Sequence, residues 1–150
     1  AFHEAQNEIM FAISKGYLAD VLQARGQLDE ALRIYREECL LAFETLGDVR
    51  ARAVTMGRIA DVLQARGELD EALRIRREEQ LPVYEKLGDV RSLLVGRANL
   101  AITLLERGAP GDREEARGLL HLALEAARRL RLPEAATIER ILSDNFMPHR

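Results

Sequence analysis

The chain has 150 residues and a formal net charge of −3, a balance without the basic face that nucleic-acid binding asks for. Apolar residues make up 47% of it, enough to bury a core and to exclude wholesale disorder. No apolar run reaches the ~18 residues that a membrane span requires.

Ala, Leu, Arg and Glu dominate, and all four are good helix formers. β-branched runs are almost absent, so the composition predicts an all-α chain. Cys39 is the one cysteine and cannot close an internal disulfide, so a reducing, cytoplasmic setting is expected. Runs such as RIRREE (74–79) read as solvated helix faces.

In chain order, residues 1–6 align with the end of a later helix: AFHEAQN matches AFETLGD at 42–48. They are expected to be the remnant of a preceding helix, and the chain part of a longer array. Residues 7–47 form a first helix pair and 48–88 a second. In the second, helix A is predicted over 49–66, with Asp48 as N-cap and Gly67 as C-cap. Helix B is predicted over 69–87, ending at Gly88, with Pro82 inside it expected to remove a hydrogen bond and bend it. Asp29–Arg33 and Asp70–Arg74 stand at i, i+4 and are expected to pair, each worth only ~0.3–0.5 kcal/mol. Residues 89–131 form a third pair, lengthened by three residues in GAPGDREEA, where Asp112 is expected to cap helix B. Residues 132–143, after a Pro start, read as a terminal capping helix, and 144–150 as a frayed tail.

The pairs repeat almost letter for letter. ADVLQARG occurs at 19–26 and again at 60–67, and of the 30 ungapped pairs between 18–47 and 59–88, 22 are identical. Such a period marks a stacked repeat array. Ala19, Ala60 and Ala101 recur at one helix-A position, and Ala31, Ala72 and Ala116 at one helix-B position. Small side chains there let antiparallel helices approach closely, with Leu22, Leu63 and Leu104 filling between them.

The pattern L-A-x-x-L-x-x-x-G-x-L-x-E-A-L resembles the tetratricopeptide repeat. Leu18, Ala19, Leu22, Gly26, Leu28, Ala31 and Tyr35 fall on its signature positions, as do Ile59, Ala60, Leu63, Gly67, Leu69 and Ala72, with Arg76 where Tyr35 stood. The usual unit is about 34 residues. The 41-residue spacing from Ala19 to Ala60 is similar to the long-helix repeats of kinesin light chains and Pins-type adaptors. The resemblance implies antiparallel helix pairs stacked in a right-handed superhelix, an α-solenoid whose helices A line a concave face.

No residue set calls for chemistry. His3, His121 and His149 are scattered, and HEAQN lacks the second ligand of a zinc helix because Asn7 stands there. Cys39 reads as a small packing residue. GAPGDRE lacks the G-K-[S/T] ending of a phosphate loop. No catalytic residue, metal site or cofactor is therefore expected.

What the resemblance implies instead is a non-catalytic protein-interaction module, a scaffold that takes a peptide or partner helix in its groove. The groove positions carried over are Ile13, Tyr17, Asp20 and Gln23 with Gly16, then Val54, Arg58, Asp61 and Gln64 with Gly57, then Val95, Asn99 and Ile102 with Ala98 and Leu105. Asp20 and Asp61 are acceptor-only groups, which points to a ligand with basic character, and the third set to an apolar anchor. A protein partner is expected, with neither nucleic acid nor membrane, and self-association through exposed array ends is open. The alternative is a spacer or sensor arm in a larger multidomain protein, such as a bacterial-like signalling ATPase or protease-like effector, with no peptide ligand of its own.

Overall fold

The computed structural model describes residues 2–148, and within them the chain is all-α, without a strand. Helix α1 (Phe2–Ala24) is followed by α2 (Leu28–Ile34), a π-helical stretch π1 (Tyr35–Leu40) and α3 (Leu41–Leu46). Next come α4 (Val49–Ala65), α5 (Leu69–Arg74), a second π-helical stretch π2 (Ile75–Gln80) and α6 (Leu81–Leu87). The chain continues with α7 (Val90–Arg107), α8 (Asp112–Arg129) and α9 (Glu134–Phe146). The contacts divide it into two compact units, one ending at Ile75 and the other beginning at Arg76.

In the first unit, α1 packs on α2, π1 and α3, and α4 packs on the same three segments and on α5. Ala19, Ala31, Ala60 and Ala72 are all completely buried, with Ile34, Tyr35, Ile59 and Val62 in the same apolar cluster. In the second unit, α7 packs on α6 and α8, and α8 on α9. Ala101 and Ala116 are completely buried there, with Leu104 beside them. The alanines thus stand where their recurrence placed them.

The joints follow their predicted chemistry. Asp48 accepts from the Ala51 N–H at 3.0 Å and Asp89 from the Ser92 N–H at 3.1 Å, each capping a helix A. Before them, Gly47 (φ +69°) and Gly88 (φ +66°) turn the chain in the left-handed region, which a residue with a Cβ resists. Gln6 holds the place of those glycines, so no turn forms, and Phe2–Ala24 is one uninterrupted helix.

Other expectations are also revised. Pro82 does not stand in the interior of an α segment; it falls in the first turn of α6, where a missing N–H is tolerated. Nor does it cause the π stretch before it, since repeat 1 makes the same wide turn with Leu41 in that place. Arg76 is not on a solvated face: it is 2% exposed, and its Nε donates to Thr103 Oγ1 at 3.2 Å. Arg33 forks onto Glu30 and reaches Glu37, not Asp29, which lies 3.6 Å from Arg66 instead. The terminal helix runs on through the expected tail to Phe146, whose ring lies under Arg113 and Arg117. His149 is outside the described residues.

The three extra residues of the third pair make a turn in which Asp112 faces backwards. It caps no N–H of α8. Its carboxylate accepts from the Ala109 N–H at 3.0 Å and takes a fork from Arg107 at 2.7 and 2.8 Å. The Arg107 hydrogen bond chiefly, helped by the Ala109 N–H against the opposing effect of burial, holds its pKa down from 3.8 to about 2.

Ala60→Leu should overpack the α4–α5 contact and cost ~1–3 kcal/mol in urea unfolding. Gly16→Ala, with nothing within 4 Å of the added Cβ, should instead gain ~0.5–1 kcal/mol. Because the Asp112 pKa is lowered on folding, its stabilisation is present above pH 3.8 and is lost as pH falls toward about 2. The urea midpoints of the wild type and Asp112→Asn should therefore differ at neutral pH and converge over that acid range.

Candidate interaction cavities

The groove positions lie on helices A because 13, 16, 20 and 23 follow the helical repeat along one side of α1, and 54, 57, 61 and 64 do so on α4. In the first unit, five of the expected residues meet around one cavity of about 250 Å³. Ile13, Tyr17 and Asp20 come from α1 with Gly16, and Val54 and Arg58 come from α4. The sequence reading missed its back wall and far side: Tyr35, Cys39 and Phe43 from helix B, and Arg50, Ala51 and Thr55 from α4. Gly16 leaves this wall open, since a Cβ there would meet no atom within 4 Å.

The polar groups of the cavity are already engaged with one another. The Tyr35 hydroxyl donates to Asp20 Oδ1, and Arg58 Nε lies 3.7 Å from the same oxygen. Burial first, then the hydrogen bond to Asp20 and its charge, push the Tyr35 phenol well above its ordinary value. Cys39 Sγ lies 3.5 Å from the Ala12 carbonyl, to which the thiol donates. Burial, then the carboxylates of Glu38 and Asp20, push it up to about 11. A thiol so placed stays protonated at neutral pH and is a packing group rather than a nucleophile.

The second unit holds an equivalent cavity of about 240 Å³. Gln80 and Tyr84 come from helix B, and Arg91, Ser92, Val95, Gly96 and Asn99 from α7. Each stands 41 positions after a lining residue of the first, from Cys39 and Phe43 to Thr55 and Arg58. Translation by the repeat was therefore the signal that would have found the missed wall. A Cβ on Gly96 would come within 2.6 Å of Leu81 Cδ2, so here the glycine serves close packing. Arg91 pairs with Glu134 at the start of α9, and this chiefly holds the Glu134 carboxyl below its ordinary range.

Gln23, Asp61, Gln64 and Ile102 are half-buried on their helices and line neither cavity. His3 and His121 are exposed. Among the described residues, no cluster of His, Cys, Asp and Glu could hold a metal ion, and no helix is long and apolar enough to cross a membrane.

Antiparallel helix pairs in tandem, with small residues at the contact and cavities beside helix A, define a helical-repeat protein. Residues 10–78 match the family model described as Tetratricopeptide repeat, and over that span the chain consists of such repeats. Repeats of this family generally mediate protein–protein interaction. No curated protein matches the sequence.

The Cys39 environment yields a direct check. At pH 7.5 the native protein should react with a disulfide reagent far more slowly than a free thiol does, and the rate should rise with denaturant as the unit opens.

Proposed function

We propose that this chain is a non-catalytic interaction module that takes a peptide or partner helix along its helices A, with an apolar side chain of the ligand entering the first-unit cavity. The observation that carries this reading is the cavity itself: about 250 Å³, with Ile13, Cys39, Phe43 and Val54 in its lining, and left open at Gly16. Pockets that bind ligands combine an apolar lining with a few placed polar groups, and Tyr17, Asp20 and Arg58 supply those here.

The pairing of Asp20 with Tyr35 and Arg58 bears on the ligand. A carboxylate already satisfied offers little to an incoming cation, so apolar bulk, more than basic character, is what this cavity selects. The single buried thiol of Cys39 is in keeping with a reducing compartment.

The test uses a random peptide library panned on the whole chain. Enriched peptides should share an apolar or aromatic residue. Gly16→Leu, whose Cβ meets no atom within 4 Å, should weaken them by about tenfold or more while the circular dichroism spectrum stays unchanged. Equal binding to both proteins would remove the cavity from the reading.

A further inference from the structure

The wall of the second-unit cavity departs from that of the first in one chemical direction. Gln80, Tyr84, Ser92 and Asn99 stand where the first has Cys39, Phe43, Ala51 and Arg58. A thiol, a phenyl ring, a methyl and a cation are each replaced by a neutral group that both donates and accepts hydrogen bonds. The two back-wall residues are shielded from bulk water, with Gln80 7% and Tyr84 4% exposed. Asn99 is half-buried on α7. Its backbone carbonyl accepts from Thr103 Oγ1, and its carboxamide has no hydrogen-bond partner among the described residues.

Three classes of guest fit this wall poorly. Among the described residues that line the cavity, Arg91 is the one charged group, and Glu134 pairs with it at 2.5 Å. An entering anion therefore competes with Glu134 for the guanidinium. An entering cation meets no carboxylate in the lining. An apolar side chain takes water from Ser92 and Asn99 and returns no hydrogen bond, and a buried polar group left so is costly.

We infer that the second-unit cavity binds the side-chain carboxamide of an Asn or Gln residue of a protein partner. That group brings two N–H donors and a carbonyl acceptor and carries no charge. It can exchange hydrogen bonds with the Asn99 carboxamide and the Ser92 hydroxyl without disturbing the Arg91–Glu134 pair. At about 240 Å³ the cavity has room for one such side chain. The site lies wholly in the second unit, so it does not depend on a peptide entering beside Gly16.

The probes are the blocked residues N-acetylglutamine, N-acetylleucine and N-acetylglutamate, each as its methylamide, titrated into the whole chain and followed by amide NMR. The glutamine probe should shift the amides of Val95, Gly96 and Asn99 saturably, about tenfold or more tighter than either of the others. Asn99→Leu, close in size but without the carboxamide, should weaken it by about tenfold. Gln80→Cys combined with Tyr84→Phe installs the pair that the first cavity holds at these places, and should weaken it likewise. Thermal melts of both variants show that they are folded. Gly16→Leu should leave the glutamine titration unmoved. The proposal is overturned if the glutamine probe leaves those three amides unshifted. It is equally overturned if all three probes shift them alike, since the shared backbone is then what binds, or if both folded variants bind as the wild type does.

Discussion

Two helices can approach only as closely as the residues between them permit, and in the three repeated helix pairs small residues recur at the buried positions. Ala19 and Ala31, Ala60 and Ala72, and Ala101 and Ala116 occupy those positions, and all six are completely buried. Contacts so short leave no room for a larger side chain without moving backbone. They fix how each helix A is rotated about its axis. That rotation decides which residues turn toward the cavity, which toward the neighbouring helix B, and which toward solvent.

The packing positions and the cavity positions have fared differently between the copies. Across the 30 aligned pairs the packing alanines Ala19/Ala60 and Ala31/Ala72, the Leu22–Leu63 match and the turn glycines are unchanged. Three of the eight differences, at Tyr35, Cys39 and Phe43, fall on the wall of the first cavity. The third copy changes the wall further, with Gly96 for Thr55 and Asn99 for Arg58. One scaffold thus carries two cavities of similar size and different chemistry. The first is lined by a thiol and an aromatic ring where the second has an amide and a phenol.

Much of the fold was legible because its determinants are local or periodic. The period set the helix pairs, Asp48 and Asp89 marked helix starts, and Gly47 and Gly88 marked the joints. Failures came where tertiary contact outweighs local pattern. Arg76 reads as surface beside Arg77 and Glu78, yet it fills the buried place of Tyr35 because Thr103 waits for its Nε. Asp112 has the composition of a cap but is drawn backwards by Arg107. The π stretches leave no mark in the letters. Of the site, the helix-A half followed from helical spacing. The helix-B wall did not, because its residues come near only through the fold. The commitment of Asp20 to Tyr35, across 15 residues of sequence, was invisible for the same reason.

The measurement that bears most directly on the cavity is an amide NMR titration of the whole chain with a peptide recovered from the library. The amides of Ile13, Gly16, Val54 and Arg58 should shift together and saturate in step with binding. Saturable binding that leaves those four unmoved while other residues shift would contradict the cavity as the seat of recognition.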